Sequence, residues 1–233
     1  MQPLDFSNQL FGQNQNGLWK KPINTVVVID AGHGGLDAMG RYTTAAIDGK
    51  FFDHKSKTLN FHGIEGNSVF YEGVFNRIMA RKLAYNLAAL GIQSVNCYDD
   101  VIDTPLSRRV ALCNNLHRLY LNTIVVSLHA NAGEGSGAEI FTSVGMTSSD
   151  KLAKSVELEL LPSLSFYDRP SRGTKEANFT IVKDTAAPAI LIEYDFFDTL
   201  EGARLLNTVS HQNSLSIGTA RGIYKYLSAL SFL

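Results

Sequence analysis

The sequence predicts a single α/β domain, built on a twisted, mostly parallel or mixed sheet of about six strands with helices on both faces. Two observations support this class. Strand-like and helical patterns alternate along the chain, and the strand-like runs are short, continuously apolar and rich in β-branched residues, which is typical of strands buried on both faces. The length of 233 residues and a hydrophobic content of 45% suit one domain with a sizeable core.

Six segments have the apolar pattern of a strand, and four have a helical period. The predicted strands cover about residues 25–30, 92–98, 123–128, 137–143, 178–183 and 189–194. The predicted helices cover about residues 72–90, 104–118, 149–161 and 211–230. Gly91 is a natural C-terminal stop for the first helix, and Pro105 stands where a helix tolerates proline, at its start.

Two segments do not follow this alternation. Residues 1–23 are rich in Gln, Asn and Gly and have no period, so we expect an N-terminal arm before a domain of residues 24–233. Residues 36–70 are polar, aromatic and glycine-containing, again without a clear period, and are predicted to be a long loop insertion. Because a structureless stretch of that length is uncommon inside a compact domain, we expect it to carry function or to act as a lid.

Composition excludes several classes of partner. The formal net charge of −1 provides no field that would attract nucleic acid or an anionic membrane surface. No apolar run approaches the roughly 18–20 residues that span a bilayer. The N-terminus has neither the basic nor the apolar segment of a secretory signal.

Cys97 and Cys113 are expected to be buried apolar residues rather than a disulfide, and their spacing is not that of a zinc ligand pair.

Chemically capable residues follow three of the predicted strands. His33, His129 and Glu193 each come at or just after the end of an apolar run. Because the carboxyl ends of parallel strands meet at one edge of a sheet, these side chains are expected to share a crevice. Two imidazoles and a carboxylate form a zinc ligand set, and one further carboxylate can act as a base. The pattern therefore predicts a metal-dependent hydrolase.

Each of these residues also has an ordinary structural explanation. His129 could be a core imidazole, and Glu193 could emerge from its strand into solvent, although burial there would raise its pKa toward the range of a general base. Glu72 begins the first predicted helix, where a carboxylate is favoured electrostatically without any function. Glu65 is a nearby alternative to Glu72, but Glu72 is preferred because it heads the amphipathic helix.

Six motifs occur in one order along the chain. They are Asp-Ala-Gly-His-Gly-Gly at 30–35, Glu72 at the head of a helix, and the segments 106–114, 127–131, 137–139 and 188–193. In this order they resemble the zinc-dependent N-acetylmuramoyl-L-alanine amidases of the type 3 family, over residues 24–230. The resemblance implies that one zinc ion is bound by His33, Glu72 and His129 and that Glu193 is the catalytic acid/base. It further implies substrate-binding roles for Asn131 and for Arg172. Arg172 could meet a stem-peptide carboxylate, or it could equally be a solvated loop arginine.

The insertion of residues 36–70 is longer than is usual in that family, and it contains other residues that could be the third ligand. These are Asp53, His54, His62 and Glu65. The insertion also holds four aromatic residues that could either line the substrate or simply pack under a long loop. They are Tyr42, Phe51, Phe52 and Phe61.

The resemblance implies zinc-dependent hydrolysis of the amide bond between N-acetylmuramic acid and L-alanine, with bacterial peptidoglycan as partner and a monomer as the expected state. Two other classes stay open. One is a different zinc hydrolase, such as a carboxypeptidase-like peptidase, and the other is a non-catalytic wall-binding module. With no visible signal, we expect a protein that is cytoplasmic until it is released to the wall, like a phage lysin, or one that acts outside the cell after loss of a leader.

Overall fold

The computed structural model describes residues 25–56, 58–120 and 122–230, so the predicted arm at residues 1–23 lies outside the described residues. The strands are β1 (Thr25–Ala31), β2 (Phe51–Asp53), β3 (Val69–Tyr71), β4 (Ser94–Asn96), β5 (Asn122–Asn131), β6 (Ala138–Thr142), β7 (Ser171–Glu176) and β8 (Ala189–Phe196). The helices are α1 (Glu72–Ala89), α2 (Leu106–Leu119), α3 (Ser148–Phe166), α4 (Thr180–Lys183), α5 (Leu200–Leu206) and α6 (Val209–Ala229). No helix in the described ranges is long and apolar enough to cross a membrane.

Six of these strands form one mixed sheet in the order β4-β1-β5-β8-β6-β7. The central strands β1, β5 and β8 are parallel, and β6 runs antiparallel to β8. The carboxyl ends of the three central strands therefore meet at one edge, together with the amino end of β6. This arrangement confirms the predicted fold class.

The core lies on both faces of the sheet because successive side chains of a strand point to opposite sides. Val27 and Ile29 belong to a large cluster with α1, α3 and α6, whereas Val28 belongs to a smaller cluster with α2 and α4. Each fully buried aliphatic side chain of this kind contributes roughly 1.5–3 kcal/mol. Cys97 and Cys113 are free and buried in the smaller cluster, as predicted.

One predicted strand is wrong. Residues 178–183 contain the single helical turn α4, and the sixth strand of the sheet is β7 instead. The apolar pair Ile181 and Val182 is buried at that turn, and a short apolar run cannot distinguish a strand from a buried turn by its pattern. β7 escaped the prediction because it is a polar edge strand of sequence Ser-Arg-Gly-Thr-Lys-Glu.

The insertion at residues 36–70 has more structure than a loop. β2 and β3 form an antiparallel pair in which Phe51 lies opposite Tyr71; one short 3₁₀ turn precedes β2 and another lies between the two strands. Phe61 and Phe70 are buried in the large core cluster, and Phe70 stacks on Phe197 just after β8. The expectation of a structureless segment is therefore wrong, because these aromatic side chains anchor the insertion beside the carboxyl edge of the sheet.

Candidate metal centre and active site

Three ligand-type side chains converge at this edge. Donor atoms of His33, Glu72 and His129 lie within 4.8 Å of one another, and the described residues contain no other such group. Glu72 Oε1 is 2.8 Å from His129 Nδ1 and 3.3 Å from His33 Nε2. The two imidazoles meet edge to face, with ring centroids 5.1 Å apart. Thus β5, the first residue of α1 and the loop after β1 each supply one donor.

Two glycines, one after β1 and one in the first turn of α1, allow this close approach. A Cβ atom on Gly32 would overlap the ring of His129, and one on Gly73 would overlap the carbonyl oxygen of Gly34. His33 itself has a φ of 63°. This left-handed conformation is unfavourable for any residue that carries a side chain. Surrounding contacts must therefore hold His33 in place.

Two buried arginines provide those contacts. Arg77 Nη2 and Arg109 Nη2 both donate to the carbonyl oxygen of His33, at 2.8 and 3.0 Å. Arg109 also pairs with Asp30 at 2.6 Å, and Ser127 Oγ donates to the other oxygen of that carboxylate at 2.6 Å. Asp30 and Arg109 are 1% and 2% exposed, so this ion pair lies in the interior and fixes the strand end behind His33.

The ligand-type residues have the character expected of a metal site. Glu72 is 1% exposed; its burial would raise the pKa of the carboxyl, but the neighbouring His33 and His129 bring it well below its usual value. Glu72 Oε2 and His33 Nε2 are both buried and make no hydrogen bond to any described residue. Buried polar atoms normally have a partner. Two imidazoles and one carboxylate with such unsatisfied atoms fit a divalent metal, zinc in particular.

Glu193 lies beside this group. It faces His129 across the parallel pairing of β5 and β8, and both residues line the same cavity of about 690 Å³. Its Oε2 atom is buried and has no hydrogen-bond partner among the described residues. Burial raises the pKa of Glu193 well above its ordinary value, and the charge of Glu72 adds to that effect. A carboxylate with a raised pKa is suited to exchange protons near neutral pH.

Comparison with known proteins identifies the family. The family described as N-acetylmuramoyl-L-alanine amidase (Amidase_3) matches residues 27–225. The chain belongs to this family. It is 36% identical over 100 residues to a sporulation-specific N-acetylmuramoyl-L-alanine amidase of Bacillus subtilis (strain 168), a match that covers 42% of this chain and 38% of that protein. It is 29% identical over 109 residues to an endolysin of Bacillus phage SPP1, covering 45% of this chain and 40% of the endolysin.

The matched part of the chain thus spans about two fifths of the length of these curated relatives. Solved structures give a longer match. The N-acetylmuramoyl-L-alanine amidase from Clostridium difficile 630 is 28% identical with a TM-score of 0.69, and the match covers 88% of this chain and 97% of that one.

In this amidase-family chain, the two expected substrate-binding residues share one partner. Asn131 lines the cavity and donates to Glu139 Oε1 at 2.7 Å. Arg172 Nε donates to Glu139 Oε2 at 2.7 Å, and its guanidinium lies over the ring of Phe196. Arg172 is not among the residues that line the cavity. Glu139, which the sequence analysis included only within a motif, therefore links them.

The other residues of the insertion that could have been the third ligand make different contacts, and none of them belongs to the ligand-type group. His54 Nε2 is 2.9 Å from the carbonyl oxygen of Phe197, and His62 Nε2 accepts the N–H of Tyr71 at 2.8 Å. Asp53 accepts from Ser68 and Lys55, and Glu65 is exposed.

Sequence reasoning missed the roles of Asp30, Arg77 and Arg109. Asp30 and Arg109 stand inside quoted motifs, so a signal existed at both positions, but nothing in the sequence indicated that the two pair with each other. Arg77 lies within α1, where no pattern separated it from the other charged residues of that helix.

Proposed function

We propose that this chain is a zinc-dependent N-acetylmuramoyl-L-alanine amidase, which hydrolyses the amide bond between N-acetylmuramic acid and L-alanine in peptidoglycan. One observation carries the proposal: the group of His33, Glu72 and His129 shares a cavity with Glu193, a carboxyl group whose pKa is raised. Membership of the family supports the choice of substrate.

His33, Glu72 and His129 would hold one zinc ion per chain, since two imidazoles and a carboxylate are a ligand set of catalytic zinc sites. When bound, zinc supplies Lewis-acid chemistry that polarises the scissile carbonyl and makes water a nucleophile at neutral pH. Arg77 and Arg109 hold the His33 loop in position for that role, because both donate to the carbonyl oxygen of His33.

Glu193 performs the proton transfers in this proposal. Its carboxylate takes a proton from the water as the water oxygen adds to the amide carbonyl carbon. The protonated carboxyl then gives the proton to the alanine nitrogen as the C–N bond breaks, leaving a lactyl carboxylic acid and a free amine; the acid then passes its proton to the amine or to solvent. The pairing of Glu193 with His129 in neighbouring strands supports this role.

Asn131 and Arg172 are proposed to contact substrate. Asn131 is on the cavity wall, where its amide side chain is oriented by Glu139. The Arg172 side chain is 36% exposed, so a substrate carboxylate would compete with Glu139 for its guanidinium. We infer that the protein acts on the cell wall as a monomer, and that its similarity to a phage endolysin favours a lysin-like release to the wall.

The test is hydrolysis of purified peptidoglycan by the wild type and by Glu193→Gln, with and without a chelator. We expect new N-terminal alanine from the wild type, its loss with chelator and recovery with zinc, and at least a hundredfold lower rate for Glu193→Gln. Zinc affinity of Glu193→Gln should match the wild type. Zinc-dependent release of a different amine would favour the peptidase alternative, and zinc binding without any cleavage would favour the wall-binding module.

A further inference from the structure

Lys50 is a charged residue at the cavity that the proposed chemistry does not use. It lines the same cavity as Glu193 and His129, and its ammonium lies 3.8 Å from Glu72 Oε2. That separation is too long for a hydrogen bond. The side chain is 38% exposed, so a ligand in the cavity can reach it.

The position of Lys50 is fixed by backbone contacts. Lys50 directly precedes β2, and its carbonyl oxygen accepts the N–H of Glu72 at 3.1 Å. This bond extends the pairing in which Phe51 lies opposite Tyr71. A backbone ladder therefore holds the main chain of Lys50 beside a residue of the candidate metal centre, so the base of its side chain does not lie on a mobile loop tip.

Lys50 is also the available cation of the cavity. Among the described lining residues, the other cation is Arg109. Arg109 is 2% exposed and its donors are occupied by Asp30, by the carbonyl oxygen of His33 and by that of Thr104. The ammonium of Lys50 has one ion-pair partner in the described part of the chain, Glu72 at 3.8 Å. An anionic group entering the cavity would thus find its free counter-charge at Lys50.

The chemistry of the proposed substrate indicates which part would be anionic. In a muramyl peptide the lactyl carboxyl is consumed in the scissile amide, so that side carries no carboxylate until after cleavage. The peptide that begins at this amide retains at least its C-terminal carboxylate. Since Lys50 is adjacent to the ligand-type residues and one extended residue spans about 3.3–3.6 Å, only a carboxylate on the first one or two peptide residues beyond the scissile bond, at a side chain or at the chain end, can reach it.

We propose that Lys50 binds a carboxylate on the peptide side of the substrate, within two residues of the scissile amide, and so selects acidic over amidated peptides. The inference rests on the proposed function. A charge-assisted hydrogen bond of this kind gives both affinity and orientation. It would also explain why the insertion, which supplies Lys50, is anchored by buried aromatic residues next to the cavity.

The experiment compares the zinc-loaded wild type, Lys50→Met and Lys50→Arg on two synthetic substrates. Both consist of N-acetylmuramoyl-L-alanine followed by glutamate, with the glutamate carboxyls free in one and amidated in the other. We expect Lys50→Met to raise KM for the acidic substrate about tenfold, with kcat within about twofold and no change on the amidated substrate. Lys50→Arg should keep most of the affinity. Lys55→Met is the matched control, since Lys55 is in the same insertion but does not line the cavity.

A second readout does not depend on turnover. Binding of the product peptide, alanyl-glutamate, is measured by calorimetry on the wild type and Lys50→Met, and we expect about tenfold weaker binding for the variant. Equal binding by both, or equal losses on the acidic and amidated substrates, would overturn the role of Lys50. A lower kcat at unchanged KM would also overturn it and indicate action at the reacting bond. If the wild type cleaves neither substrate, the proposed function fails, while the binding comparison still decides the role of Lys50.

Discussion

Replacing Arg109 by methionine should destabilise the protein and loosen the candidate metal centre together. The side chain of Arg109 donates to the Asp30 carboxylate at 2.6 Å and to the carbonyl oxygen of His33 at 3.0 Å. Methionine keeps most of the apolar stem but none of the donors, and its side chain is shorter. Asp30, 1% exposed, would then lose its charged partner and keep hydrogen bonds only from Ser127 and Cys97 among the described residues.

The size of the effect follows from this burial. Breaking a buried ion pair by removing one partner typically costs 3–5 kcal/mol, because an uncompensated charge is left in the interior. Ser127 still donates to Asp30, so we expect a loss of about 3 kcal/mol in the free energy of unfolding. Arg77 still holds the His33 carbonyl, so zinc affinity should fall by roughly 10–100-fold rather than vanish.

The assay is urea unfolding of the zinc-free protein, followed by zinc titration of the folded variants. Arg108→Met is the matched control, because Arg108 is the neighbouring arginine of α2 and is exposed. The double variant Asp30→Asn/Arg109→Met should recover part of the stability, since it removes the stranded charge. Surface substitutions usually change the free energy of unfolding by no more than about 0.5 kcal/mol. If the free energies of unfolding of Arg109→Met and Arg108→Met differed by no more than that, the structural role given to this ion pair would be refuted.

Two further predictions concern acid stability and the third ligand. Burial lowers the pKa of His211 from 6.5 to about 4 and that of His62 likewise to about 4, so the unfolded chain binds more protons than the folded chain between these pKa values. The contribution of these two histidines to stability should be full above about pH 6.5 and decline toward pH 4, by about 3 kcal/mol for His211 alone. Urea midpoints from pH 7 to 4 check this, and a slope unchanged in His211→Leu would contradict it. Glu72→Gln should weaken zinc binding at least a hundredfold in a chelator competition while Glu65→Gln has no effect, and the reverse result would make Glu65 the ligand.

Much of the fold was predictable because the buried strands carry it. β1, β5 and β8 are continuous apolar runs, and their pattern alone indicated a sheet with both faces covered. The sequence pattern predicted a strand where α4 lies and missed β7. The reason is physical, because an edge strand need not be apolar and a single buried helical turn can be apolar. The pairing of β2 with β3 depends on aromatic contacts to the core that no local pattern encodes.

The candidate site was predictable where strand ends determine it. His33, His129 and Glu193 follow apolar runs, so parallel pairing was enough to place them at one edge. Glu139 and Lys50 could not be assigned in the same way, since Glu139 enters from an antiparallel neighbour and Lys50 from a hairpin outside the sheet. Side chains on such elements can be assigned to the site only once the tertiary structure is known.

The proposed activity depends on one zinc ion, held by His33, Glu72 and His129, that supports cleavage at the muramyl amide. The most direct measurement is a titration of the zinc-free wild type with zinc, following release of new N-terminal alanine from purified peptidoglycan. We expect the rate to rise in proportion to added zinc and to level off at about one equivalent per chain. Alanine release that is undiminished in the zinc-free protein, or that levels off only near two equivalents, would contradict it.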